Sequence, residues 1–251
     1  LVGVTAAKAL AYSSGLPLIK VNHIEAHIAA NYTAFSSLQP PFLALVASGG
    51  HTSIIDVTDY NDFVLMGSTK DDAIGEAFDK TARLLGLPYP GGPEVDRLSK
   101  IGKNNINFFH GKKPVNKDFS LSYSGLKTAV VNYVHSSRQR GEQIVVEDVC
   151  CSLTHTAVDL LADTVMQAAE YTRRDIIVLA GGVASNSYLR ETLAARGGEK
   201  GIKVLFPPPV LCTDNATMVA ARAYYSVRAG KDLADLTLNA CPGLKTGRPL
   251  C

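Results

Sequence analysis

Two kinds of stretch alternate along the chain. Phe42-Leu43-Ala44-Leu45-Val46-Ala47 is apolar at every position, the pattern of a strand buried on both faces. Asp175 to Ala180 reads as a parallel-type strand, Ile202 to Phe206 as the next, Ser53 to Val57 as another, and Leu18 to Val21 as a short one. Between them lie helical patterns. Asp71 to Leu85 carries an apolar stripe of Ile74, Phe78, Ala82 and Leu85. Further helices are expected over Thr5–Ser14, from His23 to about Ala34, from Pro93 onward, after Tyr123 to about Ser136, over Val145–Tyr171, over Ser187–Ala195, and from Cys212-Thr213-Asp214-Asn215 to about Arg228. Residues 103–123 are loop-like, and the chain after Gly230 reads as a polar tail. Strands alternating with helices, with glycine loops after strands, predict an α/β fold. There is no repeat at a solenoid period.

The glycine loops change the picture from scaffold to site. Ser48-Gly49-Gly50-His51-Thr52 joins two strands and reads as a hairpin. Its glycines permit close approach of a ligand and its N–H groups favour an anion, although a plain turn also uses glycine. Pro90-Gly91-Gly92-Pro93 is a second glycine turn, opening a helix that carries Asp96. Gly181-Gly182-Val183-Ala184-Ser185-Asn186 follows a strand and precedes a helix, as at a nucleotide-binding corner. It is not GxGxxG, which excludes a dinucleotide fingerprint. Asp79 lies one step off its helix's apolar stripe and fits either a surface or a cleft.

His23-Ile24-Glu25-Ala26-His27 places two imidazoles four residues apart, on one face of a helix. Glu25 lies about 200° around from each, so it faces away. A zincin would need Glu directly after the first His, or directly before the second in the inverted form, and Ile24 and Ala26 stand there. The spacing also fits two ordinary helix histidines, and a metal needs a third ligand from elsewhere. Asp214, near a helix start, is open to two readings: a cap or dipole partner, or that ligand.

The chain has 251 residues, 46% hydrophobic and 19% charged, which suits one large or two ordinary globular domains. No apolar run spans a bilayer and nothing resembles a secretion signal. Five cysteines without a CxxC pair argue against a zinc ribbon or a redox pair and suit a reducing cytosol. The first residues read as the inside of a helix, so an N-terminal part is expected to be missing. Net charge is +2 but uneven. From Arg97 to Arg140 the basic residues 97, 100, 103, 112, 113, 117, 127, 138 and 140 face one acid, Asp118. That excess fits a nucleic-acid surface or a solvated insert.

Taken in order, His23-Ile24-Glu25-Ala26-His27, Ser48-Gly49-Gly50-His51-Thr52, Gly75-Glu76-Ala77-Phe78-Asp79-Lys80, Tyr89-Pro90-Gly91-Gly92-Pro93, Ser124-Gly125-Leu126-Lys127, Gly181-Gly182-Val183-Ala184-Ser185-Asn186 and Cys212-Thr213-Asp214-Asn215-Ala216 resemble the TsaD family of tRNA N6-adenosine threonylcarbamoyltransferases, formerly called O-sialoglycoprotein endopeptidases. The resemblance runs from Leu1 to about Asp235. It implies the actin-like two-domain α/β fold of sugar kinases and Hsp70. Here the first domain is incomplete: residues 1–40 joined by the helix at 213–235. The second domain is 41–212, with an insert at about 97–140, and 236–251 form a tail. The family's phosphate hairpin near its N-terminus has no counterpart in this chain.

Carried over by position, the resemblance implies metal ligands at His23, His27 and Asp214, with iron as the metal and zinc or magnesium as other occupants. It implies substrate contacts at Val46, Ala47, Ser48, Gly49, Gly50, Asp79, Gly92, Asp96 and Asn186. The implied reaction moves a threonylcarbamoyl group from L-threonylcarbamoyladenylate to N6 of the adenosine beside the anticodon, in tRNAs reading codons that begin with A, and releases AMP. The expected setting is cytoplasmic, away from membranes, with TsaB-like and TsaE-like partners. The alternatives are a metallopeptidase, which needs a Glu base beside the ligands, and a non-catalytic actin-like nucleotide-binding partner. An actin-like kinase would need the missing phosphate hairpin. No general base is evident.

Overall fold

The computed structural model describes residues 1–109, 116–244, 246 and 247. In chain order its elements are α1 (Val2–Ser14), β1 (Leu18–Ile19), α2 (His23–Ala34), β2 (Phe42–Ala47), β3 (Thr52–Asp59), β4 (Asp62–Ser68), α3 (Ile74–Leu84), α4 (Gly91–Ser99), α5 (Ser124–Gln139), α6 (Val146–Thr172), β5 (Ile176–Ala180), a 3₁₀ turn (Gly182–Ser185), α7 (Ser187–Lys200), β6 (Lys203–Leu205), α8 (Pro209–Cys212), α9 (Ala216–Arg228) and β7 (Leu233–Ala234).

Five strands form one mixed sheet in the order β4-β3-β2-β5-β6. β2 pairs antiparallel with β3 and parallel with β5, and β5 pairs parallel with β6. The unbroken apolar run of β2 follows from its central place. Leu43, Leu45 and Ala47 enter the core shared with α3, α4, α5, α6 and α7. Phe42, Ala44 and Val46 enter the opposite core, against Ile24 and Ile28 of α2. The period-2 alternation of a strand therefore sends apolar side chains into two separate cores.

The structure departs from the expected elements at four places. β4 is not among the expected strands: its apolar run Phe63-Val64-Leu65-Met66 is short, and as an edge strand it buries mainly Phe63 and Gly67. The stretch after Gly230 does not stay wholly outside the fold: β7 pairs with β1. α4 begins at Gly91, two residues before Pro93. α8 is an extra short helix with Pro209 in its first turn. Cys150, Cys151 and Cys212 are buried free thiols, as the absence of a CxxC pair suggested, whereas Cys241 is disulfide-bonded, which the cysteine spacing did not lead one to expect.

α2 is locked to α9 by a buried ion pair. Arg222 Nε donates to Glu25 Oε2 at 2.9 Å, and Arg222 also donates to Asn61 Oδ1 at 2.8 Å and lies over the Phe63 ring. The two side chains are only 5–6% exposed. Removing Glu25 takes away the nearer carboxylate and leaves the buried guanidinium only Asp232, at 3.5 Å, so Glu25→Ala should cost about 3 kcal/mol of stability. Urea unfolding checks this: the midpoint should fall while the slope stays constant.

Candidate metal and nucleotide site

Asn22 starts α2. Its side chain accepts the N–H groups of Ile24 at 2.9 Å and Glu25 at 3.2 Å. Such a cap satisfies orphan donors of the first turn and fixes where the helix begins. His23 then stands at the first position and His27 one turn later, with ring centroids 4.8 Å apart.

Asp214 reaches them from the other end of the chain. It precedes α9, and the capping role falls to its neighbour: Asn215 accepts from Met218 N at 2.8 Å. On the N-terminal side, Cys212 is buried, and Arg190 of α7 holds the loop by donating to Ala184 O and Pro207 O. The carboxylate, relieved of capping, faces α2. Asp214 Oδ1 lies 3.1 Å from His27 Nε2 and 3.6 Å from His23 Nε2.

One ligand atom from each of these residues lies within 4.8 Å of the other two. Two imidazoles and a carboxylate on one side of a point suit a divalent transition ion and leave further coordination positions open. His27 is 3% exposed, whereas Asp214 is 77% exposed. Burial first, and then the neighbouring His23, hold the His27 pKa below the ordinary 6.5. Its imidazole is therefore neutral at physiological pH, the form that can ligate. Glu25 is engaged by Arg222 and offers no base beside the pair.

A pocket of about 430 Å³ lies at the carboxyl ends of β2 and β5. Six of the expected residues line it: Gly49, Asp79, Gly92, Asp96, Gly182 and Asn186. Thr213 lines it too, next in sequence to Asp214, so pocket and triad adjoin. Gly50 belongs to the same turn but not to the lining. Val46 and Ala47 are wholly buried within β2, backbone and side chain alike, between β3 and β5, so they support the turn from behind and do not face the pocket. Ser48 N donates to His51 O at 2.7 Å and its Oγ accepts from His51 N, which shapes the turn. The N–H groups of Gly49 and Gly50 have no partner among the described residues.

The polar side chains have a second occupation that the sequence does not reveal. Asp79 Oδ1 accepts from Gly91 N at 2.8 Å and Gly92 N at 3.1 Å, fixing the second glycine turn. Asp96 Oδ1 accepts from the N–H and Oγ of Ser187 at 2.9 and 2.8 Å, tying α4 to the start of α7. Asn186 Oδ1 caps α7 through Leu189 N at 2.9 Å. Asp79 Oδ2 and Asn186 Nδ2 keep no partner among the described residues.

Sequence reasoning missed Phe78, Tyr89 and Thr213 in the lining. Phe78 was hidden by its place on an apolar stripe. Tyr89 is 87% exposed, and an aromatic beside a glycine turn was the available signal.

Residues 1–221 match the sequence model of the family described as TsaD, tRNA N6-adenosine threonylcarbamoyltransferase. The chain belongs to the TsaD family. A tRNA N6-adenosine threonylcarbamoyltransferase of Clostridium botulinum (strain Kyoto / Type A2) is 48% identical over 247 residues, which is 98% of this chain and 72% of the relative. Those of Clostridium novyi (strain NT) and Clostridium perfringens (strain SM101 / Type A) are 48% and 47% identical, with 98% of this chain covered in both and 72% and 73% of the relatives. Among solved structures, HypF from T. kodakarensis aligns with a TM-score of 0.69 at 15% identity, over 90% of this chain and 39% of that one. Full-length HypF in its phosphate- and nucleotide-bound form aligns at 0.65 and 16%, over 88% and 37%. These likenesses are of fold, and the fold is actin-like. As a TsaD chain, the protein is an acyltransferase that modifies N6 of an adenosine in tRNA. The peptidase and non-catalytic alternatives are not favoured.

Proposed function

We propose that the donor is L-threonylcarbamoyladenylate, bound in the pocket between the glycine corners, and that His23, His27 and Asp214 hold one divalent metal beside it. The observation that carries this reading is the convergence of the three ligand atoms, one of them on Asp214, the sequence neighbour of Thr213 in the lining of that pocket. Iron is the proposed metal, with zinc or magnesium as alternatives. When bound, such an ion supplies Lewis-acid polarisation and charge neutralisation.

The rest falls to the chain. The N–H groups of Gly49 and Gly50 hold phosphate oxygens. Asp79 Oδ2 and Asn186 Nδ2 hydrogen-bond the ribose and adenine. Ser48 contributes backbone, and Val46 and Ala47, buried at the end of β2, carry the turn that presents it. Gly92 and Asp96 shape the ribose side, Asp96 through its hold on Ser187. The N6 amine forms a C–N bond to the carbamoyl carbon, the anhydride C–O bond breaks, one amine proton is lost and AMP leaves. The leaving group is good, so positioning and charge stabilisation are the main requirements. The target adenosine, next to the anticodon of tRNAs reading codons that begin with A, is accessible in an open loop.

We assign residues 1–40 with 213–235 to one domain, 41–212 to the second with its insert at about 97–140, and 236–251 to a tail. The pairing of β1 with β7 and the packing of α2 on α9 support the first; the confinement of β2 to β6 within 41–212 supports the second. Among the described residues no helix is long and apolar enough to cross a membrane. A cytoplasmic setting with TsaB-like and TsaE-like partners completes the proposal, on the strength of the bacterial relatives.

Nucleoside mass spectrometry tests the function. The full-length protein with tRNA, threonylcarbamoyladenylate and iron should produce N6-threonylcarbamoyladenosine. No product from the metal-loaded protein with these partners would refute the donor assignment.

The basic segment bears on tRNA. Arg97 pairs with Glu94, Lys100 with Asp96, Lys127 with Asp72 and Arg140 with Glu142. Lys103, Lys117 and Arg138 are exposed and have no ion-pair partner among the described residues. Lys112 and Lys113 lie outside the described residues. Charge reversal at Lys112 and Lys113, or at Lys103 and Lys117, should weaken tRNA binding and reduce the salt slope by about 0.7–0.9 per lost phosphate contact. Unchanged binding at low salt would make the segment a solvated insert.

A further inference from the structure

α2 carries, one turn apart, a buried donor and a buried acceptor without partners. His27 Nδ1 and Asn31 Oδ1 are both buried and unbonded. His27 presents Nε2 to Asp214, so in its neutral ligating form the ring proton sits on Nδ1, which is then a donor. The orientation of the Asn31 amide is fixed by chemistry. Its Nδ2 donates to Ile28 O at 3.3 Å and to Leu179 O of β5 at 3.1 Å. Two carbonyls can be met only by the nitrogen, so the oxygen is the free end. Asn31 is 0% exposed. Residues at i and i+4 of a helix have Cβ atoms about 5–6 Å apart, close enough for a direct bond after a small rotation or for one bridging water. An unsatisfied buried donor and acceptor side by side are costly apart and complementary together.

We propose that Asn31 is a positioning residue for the metal site. Its oxygen takes the Nδ1–H of His27 and holds the ring's orientation, while its nitrogen anchors α2 to β5. The strand so anchored ends at Ala180 and leads through Gly181 to Gly182, which lines the adenylate pocket. Asn31 thereby sets the metal-facing helix against the nucleotide corner. A histidine ligand's other ring nitrogen ordinarily has such a partner, and loss of one costs roughly 10- to 100-fold in metal affinity.

This inference rests on the triad being the metal site, and the test separates the two. Cobalt(II) is titrated into the full-length protein by calorimetry and by its visible absorption, with three variants. His27→Ala should abolish binding at the site. Asn31→Ala should lower affinity by about 10- to 100-fold and alter the absorption band. Asn31→Asp keeps an acceptor for Nδ1–H but loses the donor to Leu179, so it should retain affinity within a few-fold of wild type while its thermal stability falls. If His27→Ala binds cobalt as wild type does, both the site and the inference fail. If His27→Ala abolishes binding while Asn31→Ala binds as wild type does, the site stands and the inference is overturned. Equal loss of affinity in Asn31→Ala and Asn31→Asp would also overturn it, by making Asn31 a packing residue alone.

Discussion

Asp214→Ala should lose stoichiometric metal and about 10²- to 10³-fold in kcat, the usual cost of removing one electrostatic contributor from a transferase site, while the fold survives. The reason lies in how little the carboxylate does for stability. It is 77% exposed, and the helix it precedes is capped by Asn215. Exposed substitutions away from caps and cores usually change stability by less than about 0.5 kcal/mol. Asn215→Ala supplies the contrast: it should cost about 1 kcal/mol through the lost cap while leaving the three ligands in place. Metal analysis of the purified variants, with thermal melts alongside, decides the matter. Full metal occupancy in Asp214→Ala would remove it from the ligand set. A collapse of its melting temperature would give the carboxylate a structural role that its exposure argues against.

The second large effect distinguishes two adjacent glycines. Gly182→Val should reduce adenylate binding on the order of 100-fold, about 3 kcal/mol, with a nearly unchanged melting temperature. A side chain at Gly182 meets nothing within 4 Å and would project into the pocket space that this glycine lines. Gly181 is the opposite case. Its φ is +86°, and a Cβ there would fall 2.4 Å from the carbonyl oxygen of Ala47, on the neighbouring strand. Gly181→Ala should therefore destabilise the protein, through both backbone strain and collision with β2. Calorimetric titration with AMP, a probe of the adenylate site, and thermal melting separate the two outcomes. If Gly182→Val binds AMP as wild type does, the glycine corner is only a chain reversal. If it fails to fold, the substitution cannot be read as a binding defect, and Gly92→Val, open in the same sense and lining the same pocket, takes its place with the same expected loss.

Much of the molecule is written in local pattern. The all-apolar run of Phe42–Ala47 announced a central strand, because a strand with a core on each face needs apolar residues at every position. His23 and His27 share a helix face by arithmetic, and Glu25 lies off it by the same arithmetic. The glycine corners at 49–50 and 181–182 were visible as paired glycines just after apolar runs, although of these only Gly181, at φ +86°, needs glycine for its backbone. These features depend on residues within a few positions of each other, so the sequence alone determines them.

The rest depends on contacts between distant parts of the chain. Near a helix start, Asp214 read equally well as a cap or a ligand. Family resemblance favoured the ligand, but only the packing of α8 and α9 against α2 shows the carboxylate beside both imidazoles, with the cap assigned to Asn215. β4 escaped notice because its apolar run, Phe63 to Met66, is only four residues long and neither alternates nor follows burial: Val64 and Leu65 are exposed at the sheet edge. Asp79 and Asp96 looked like free acceptors, yet each has one oxygen engaged in holding a neighbouring turn or helix. The pairing of Glu25 with Arg222 and the reach of Asn31 to Leu179 likewise join groups far apart in sequence. Local periodicity fixes which face of an element a residue occupies. Which other element meets that face is fixed only when sheet order and helix packing are complete, and there the ligands, the pocket wall and their supports were decided.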